Sequence, residues 1–438
     1  MTSIAQEIEL PLTEPTAAAP SQTRWRIRIW TATWLSYAGF YFCRKAFGIV
    51  KPVLKEEYHF TDIELAHIWS AFLVAYMLGQ FMSAALGRQL SCRILLLSGM
   101  AVSLLANIGI GWAITGGTGA FWWLVTFMVI NGFAQATGWP GNVGLLAKWS
   151  TRSERGRLMA LWGTCYQIGS ILAKHFAAFM LAALGIAWSF WGASIILMGV
   201  WTLFYFWGQN DPEDVGLSPF IEEIQADPSQ SNSPKERPWG EAVKTIVALG
   251  LLYFCFKLMR YALDSWAPIL IRESFSGTVD AATAGHLSTA YDWVGFLGVI
   301  VAGFMSDKYF KSQRMPVIFA MTVGTFVCMI LWATVATQHL WLFIVCLALL
   351  GFMMLGPDSL ISGTAAMDVS SKEMAVVATG LINGLGSIGP VVQEELIGYL
   401  KTHSGNDAVF MMMVIVAGLA VIGSGMLWRN TTKAGINL

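Results

Sequence analysis

Apolar runs about twenty residues long, separated by short polar breaks, fill most of this chain. A helix that crosses the hydrocarbon core of a bilayer needs roughly 20 mostly apolar residues. Twelve stretches meet that need, near 27–53, 63–86, 93–114, 119–147, 157–180, 187–208, 243–271, 286–306, 315–336, 339–366, 376–400 and 407–428. A closed barrel would show short strands alternating apolar and polar residues, and runs such as 342–355 do not alternate. The pattern lapses in two places. Residues 1–23 are Pro/Ala/Thr-rich and acidic without an apolar core, which reads as a disordered tail and not a cleavable leader. Residues 209–242 are rich in Pro, Ser, Asp and Glu, the composition of a linker between domains. The expected organisation is a tail at 1–23, a six-helix bundle at 24–208, the linker at 209–242, a second six-helix bundle at 243–430 and a tail at 431–438.

Composition agrees with an all-α membrane protein. The chain is 55% apolar and 12% charged, about half the charge fraction of a soluble protein. Lys plus Arg balances Asp plus Glu, so net charge gives no sign of a nucleic-acid partner. The 20 Trp and 43 Gly suit helices in lipid, with Trp at the interfaces and Gly where helices approach closely. The six cysteines show no spacing of a disulfide framework or zinc site. No nucleophile–base pair, metal cluster or cofactor loop stands out, so neither an enzyme nor a cofactor is expected.

The basic residues set an orientation. With the N-terminus cytoplasmic, 18 basic residues between Arg24 and Lys433 fall at inner ends, and four (Lys51, Lys55, Arg272 and Lys401) at outer ends. Five remain at membrane depth: Arg44, Lys45, Lys174, Lys257 and Arg260. The chain also repeats. Arg44 and Arg260 lie 216 residues apart, Arg88 and Lys308 lie 220 apart, and Pro140 and Pro357 lie 217 apart. A near-constant offset indicates a parallel duplication of two six-helix halves, a design that places a substrate site at the midplane between them.

A charge at mid-bilayer costs several kcal/mol unless it faces a wet cavity or a partner. Tyr37, Tyr41 and Arg44 are spaced to share one helix face, as are Tyr253, Lys257, Arg260 and Asp264. Asp292 lies in the eighth span, and Glu394 and Glu395 in the eleventh. Two arginines from opposite halves, ringed by tyrosines, suit a doubly charged phosphate, because guanidinium matches its oxygens bidentately and stays charged when buried. The plainer reading pairs Lys257 and Arg260 with Asp264 on their own helix, and Arg44 and Lys45 with Asp292 or Glu394 across the bundle. Asp292 is expected to neutralise an arginine in the empty site, the alternative being a proton carrier. Of Glu394 and Glu395, at most one faces the cavity. Lys174 is expected to snorkel to the outer interface.

Particular segments resemble a known family. Tyr41-Phe42-Cys43-Arg44-Lys45, the run from Asn131 through Gly138-Trp139-Pro140 with Trp149 and Glu154-Arg155-Gly156, and Arg260-Tyr261 with Trp266 and Pro268 resemble the organophosphate:phosphate antiporters of the major facilitator superfamily. The stretches at 71–76, 211–215, 287–292 and 379–389 look closer to the sugar-phosphate exchangers of solute carrier family 37. The resemblance implies a major facilitator fold with twelve transmembrane helices in two pseudo-symmetric bundles. It implies exchange of an organic phosphate for inorganic phosphate, with Arg44 and Arg260 as the phosphate-binding arginines and Asp292 beside them. Lys45, Lys257, Tyr37, Tyr41, Tyr166, Gln80, Trp139, Tyr261 and Glu394 complete the expected site. Tyr166 and Gln80 stand where the glycerol-3-phosphate transporters have a histidine and a lysine, so the organic moiety is expected to differ. A monomer in a bacterial inner membrane, with both termini cytoplasmic, is the expected setting. A sugar-phosphate sensor of the same fold and a proton-coupled organic anion symporter are the alternatives.

Overall fold

The computed structural model describes residues 20–86, 89–150, 158–159, 161–218, 239–310, 313–362 and 375–433. Its long helices are α1 (Pro20–Glu56), α2 (Asp62–Leu86), α3 (Cys92–Ala113), α4 (Phe121–Gln135), α5 (Gly138–Lys148), α6 (Thr164–Leu184) and α7 (Ile186–Trp207) in the first half. The second half holds α8 (Trp239–Ser274), α9 (Ala281–Ser288), α10 (Ala290–Lys308), α11 (Met315–Thr334), α12 (Leu340–Leu360) and α13 (Ala375–Lys433). Among the described residues there is no strand. Nine stretches of the described residues are long and apolar enough to cross a membrane. Two of these, Cys92–Lys148 with 57 residues and Gly380–Lys433 with 54, are each long enough for two crossings at 1.5 Å per residue. The second folds back at Gly405, whose φ of +75° suits a residue without Cβ. Helix α1 is a further crossing, its hydropathy lowered by Arg44, Lys45 and Lys51. The described residues thus make twelve crossings.

Local sequence explains the breaks. Pro140, lacking an N–H, sits in the first turn of α5, where the helix restarts after α4. The eighth crossing starts earlier than expected, with Asp280 capping α9 through a bond from the Thr283 N–H (2.7 Å). It then breaks at Thr289, so Asp292 falls in the first turn of α10, where the helix dipole favours a carboxylate. Helices α10 and α12 meet backbone to backbone. A Cβ on Gly351 would lie 2.1 Å from the Tyr291 carbonyl oxygen, and one on Gly298 would lie 2.1 Å from that of Phe352. This close approach, open only to glycine, carries Asp292 and Asp358 into the same part of the second half.

The halves run parallel. Trp25 at the start of α1 packs against the same buried cluster as Cys92, Leu203, Trp207 and Val215, and Trp428 near the end of α13 packs on Phe319 of α11. At the opposite ends Lys55 pairs with Glu273 (2.6 Å) and Arg272 with Glu56 (2.9 Å). Both ends of the described chain therefore share one face, the terminal face, and these last pairs mark the far face. The segment expected as linker begins in folded form. Gln209 accepts a bond from Trp149 Nε1 (3.3 Å), and Asp211 pairs with Lys148 (2.8 Å) while forming a capping box with Asp214. Helix α1 likewise starts at Pro20, inside the stretch read as tail. The rest of that tail, residues 219–238, Arg88, Glu154-Arg155-Gly156 and Lys372 lie outside the described residues.

Candidate functional site

Arg44 lies in the C-terminal half of α1, and side chains of α3 and α4 aim it. Its Nε donates to Gln135 Oε1 (2.8 Å). Gln135 is fully buried, and its Nε2 donates to Asn131 Oδ1 (3.2 Å) and Ser103 Oγ (3.4 Å). Asn131 also accepts from Ser103 (2.6 Å) and donates to the Cys43 carbonyl (3.1 Å). The Arg44 guanidinium lies 5.0 Å from the ring centre of Tyr41 and 4.6 Å from that of Tyr76, a cation–π cradle. No carboxylate among the described residues pairs with it, and its buried Nη2 has no hydrogen-bond partner. A buried cationic donor left open is costly, which makes Nη2 a place for an incoming anion.

Arg260, on α8, has the opposite situation. Its Nη1 is 2.7 Å from Oδ2 of Asp358 on α12. Asp358 was missed in the sequence, although it directly follows the Gly356-Pro357 pair used to define the repeat. The expected pairing of Arg260 or Lys257 with Asp264 is not what forms. Asp264 faces the other half, bonding Lys45 of α1 and Lys174 of α6 (2.8 Å to the latter). Asp292, expected to neutralise an arginine, instead bonds Lys174 (2.7 Å), with Ser170 at 3.4 Å. Lys174, expected at the outer interface, is 1% exposed. The correction has a simple cause: Tyr166, Ser170 and Lys174 lie four residues apart on one face of α6, and that face turns to the second half.

Arg44, Lys45, Tyr41, Tyr166, Arg260, Tyr261 and Asp292 of the expected site line one cavity between the halves, together with Tyr76, Gln167, Ser170, Asp264 and Tyr291. Its volume of about 40 Å³ holds roughly three waters, so the walls must part to admit anything larger. Other expected residues lie outside it. Tyr37 is a buried support packed on Tyr41, Trp139 and Trp162. Trp139 is 43% exposed, and Gln80 is exposed. Lys257 donates to Ser387 Oγ (3.0 Å) and sits 4.9 Å from the Tyr253 ring.

Glu394 is fully buried against Lys51, also fully buried, with Ser265 Oγ donating to it (3.1 Å). Glu395 lies apart, paired with His67 (2.7 Å). Lys51, expected at an outer end, is thus buried inside the bundle, and Lys401, expected there too, is buried against Glu273 (2.5 Å). Among the described residues, the ion pairs that join the two halves run from the cavity to the far face: Lys45–Asp264, Lys174–Asp264, Lys174–Asp292, Lys51–Glu394, Lys55–Glu273 and Arg272–Glu56, with the His67–Glu395 contact alongside them.

Around the cavity stand five cations (Arg44, Lys45, Lys174, Lys257 and Arg260) and three carboxylates (Asp264, Asp292 and Asp358). Lys45, Lys174, Asp264 and Asp292 balance one another, and Arg260 and Asp358 balance each other. Arg44 and Lys257 are left without carboxylate partners among the described residues. Arg44 lines the tyrosine-walled cavity and Lys257 lies outside it, so one uncompensated cation faces the cavity and a second stands near Arg260, a setting suited to an anion.

The Major Facilitator Superfamily profile matches residues 33–393, and again 249–437. The glycerol-3-phosphate transporter of Bacillus subtilis (strain 168) is 29% identical, with 94% of each chain covered. The membrane sensor protein UhpC of Escherichia coli (strain K12) is 28% identical, covering 91% of each. The glucose-6-phosphate exchanger SLC37A2 of Xenopus laevis is 28% identical over 80% of this chain and 77% of its own. Among solved structures, a D-xylose-proton symporter shares the fold with a TM-score of 0.72, at 14% identity, over 91% of this chain and 97% of the other.

Proposed function

This chain belongs to the Major Facilitator Superfamily, and from that premise we propose that it exchanges an organic phosphate for inorganic phosphate by alternating access. A sugar phosphate, a glycerol phosphate or a phosphoglycerate fits the organic side. The observation that carries the reading is the pair of midplane arginines, one from each half, on a single cavity, with Arg44 presenting an unsatisfied buried donor. Relatives named as a glycerol-3-phosphate transporter and a glucose-6-phosphate exchanger support it. Phosphate bridging Arg44 and Arg260 draws the halves together on the cavity. Rocking then requires the ion pairs that close the far face to part, and the anion supplies the differential contacts that any such shift of populations needs.

The protein works as a monomer in a bacterial inner membrane, with the terminal face cytoplasmic. Support comes from the basic residues, which concentrate on that face. A single cysteine placed at Ser231 and labelled from outside intact cells would overturn this orientation. The transport reading is tested by counterflow: proteoliposomes loaded with labelled inorganic phosphate are challenged with a panel of phosphorylated metabolites. Release of label driven by at least one of them is expected. The second reading, a sensor, is favoured by the relative named as one. It predicts phosphate-ester binding without counterflow.

A further inference from the structure

The two arginines differ in one respect that the duplication does not explain. Arg260 holds a carboxylate, and Arg44 holds none among the described residues. That carboxylate, Asp358, is itself only half satisfied: Oδ2 takes the guanidinium, while the buried Oδ1 has no hydrogen-bond partner. Three residues before Arg260 on the same helix, Lys257 has a hydroxyl and a ring for company and, among the described residues, no carboxylate in contact. Residues at this spacing are neighbours on a helix surface. The region therefore contains an arginine already neutralised, a carboxylate with a free oxygen, and a lysine that forms no ion pair among the described residues.

We infer that Asp358 is a built-in competitor for Arg260, which occupies the arginine in the empty carrier and is displaced towards Lys257 when a phosphate anion binds. The inference rests on the phosphate-exchange reading and adds an order of events to it. An anion engages Arg44 first, because that guanidinium has an open Nη2 and no anion to displace. It gains Arg260 only as Asp358 leaves, since two anions on one guanidinium repel each other in a low-dielectric site. Lys257 then takes the carboxylate, so no buried charge is left alone. Return of Asp358 to Arg260 helps expel the phosphate. Asp358 is thus a specificity residue of the site: it raises the threshold for any anion too weakly charged to displace it, and favours a phosphate dianion.

The test measures equilibrium binding of labelled inorganic phosphate to the purified full chain, together with phosphate–phosphate exchange in proteoliposomes. Asp358→Asn keeps the shape and removes the competing charge. It should bind phosphate about tenfold more tightly, the smaller end of what one nearby charge does to an ionic equilibrium, while exchange slows because release is impaired. If Asp358 merely orients Arg260, binding in Asp358→Asn weakens; unchanged or weakened binding overturns the inference. Lys257→Met supplies a second reading should Asp358→Asn fold poorly. Without a recipient for the displaced carboxylate, phosphate binding should weaken several-fold, and unchanged binding would overturn the inference. Failure of the wild-type chain to bind phosphate at all sinks the exchange reading and this inference together. Wild-type binding with no tightening in Asp358→Asn sinks the inference alone.

Discussion

Arg44 and Arg260 occupy corresponding places in a duplicated chain, yet their surroundings have diverged. In the first half the guanidinium is held by a neutral relay, Ser103–Asn131–Gln135, and by aromatic faces. In the second half it is held by a carboxylate. The repeat locates the change: Pro140 corresponds to Pro357, so the residue corresponding to Asp358 is Gly141, which packs on Leu96 and carries no charge. A neutral scaffold keeps an arginine charged, oriented and open. An ionic one keeps it oriented but occupied. The lesson is that duplication fixed where the two cations stand, while later divergence decided how available each is.

Replacing each arginine by lysine breaks the comparison most severely. Lysine keeps the charge but loses the planar fork, and neither the Gln135 bond from Nε nor the open Nη2 has an equivalent on a lysine side chain. Arg44→Lys and Arg260→Lys should each lower phosphate exchange more than about 100-fold, the scale of a lost bidentate charged contact, with the protein still reaching the membrane. Equilibrium binding separates the two. Arg44→Lys should lose phosphate binding as well, whereas Arg260→Lys should retain a weak remnant on Arg44. Normal exchange by either variant would make that arginine structural.

The arginines were legible in the sequence because a charge stands out against an apolar run, and the repeat supplied a second, independent mark. The twelve crossings were legible for the same reason. Partner identity was not, because it depends on how each helix is rotated and on which face meets the other half. Lys51 shows where arithmetic already in hand was enough. It lies seven residues after Arg44, on the same face and about 10 Å further along the helix, still inside a hydrocarbon half-thickness of about 15 Å. At that depth a lysine needs a buried partner, and Glu394 is it. Lys174 carried a similar signal in its spacing from Tyr166 and Ser170. Asp358 follows Gly356-Pro357, a backbone-shaping pair after which an acidic residue does not stand out, so its sequence context carries no mark of a buried partner.

Gln135→Glu makes the first half resemble the second. The substitution is nearly isosteric and places a negative charge on Arg44, as Asp358 does on Arg260. Phosphate affinity should fall about tenfold. The new carboxylate also loses the two bonds that Gln135 donates to Asn131 and Ser103, at a cost of about 1–3 kcal/mol. Thermal unfolding in detergent measures that cost separately from binding. Unaltered phosphate affinity in a folded Gln135→Glu protein would mean that a neighbouring carboxylate does not close an arginine to phosphate.

The smallest effect is expected at Asp292, which the sequence placed beside the arginines and the structure places on Lys174. Removing one partner of a buried ion pair often costs 3–5 kcal/mol. Here the loss is cushioned, since Lys174 keeps Asp264 at 2.8 Å and an asparagine still offers an oxygen acceptor. Because Lys174 comes from the first half and Asp292 from the second, Asp292→Asn weakens one of the links that join the halves beside the cavity. It should therefore change the exchange rate by a few-fold and leave phosphate affinity nearly constant, the reverse of the Gln135→Glu pattern. A proton-carrying Asp292 predicts something different: uptake into phosphate-free vesicles driven by an imposed pH gradient, lost in Asp292→Asn. Such uptake by the wild-type chain would replace anion exchange with proton coupling, yet it would leave the contrast between an open Arg44 and an occupied Arg260 intact, because neither arginine touches that carboxylate in the ion-pair network.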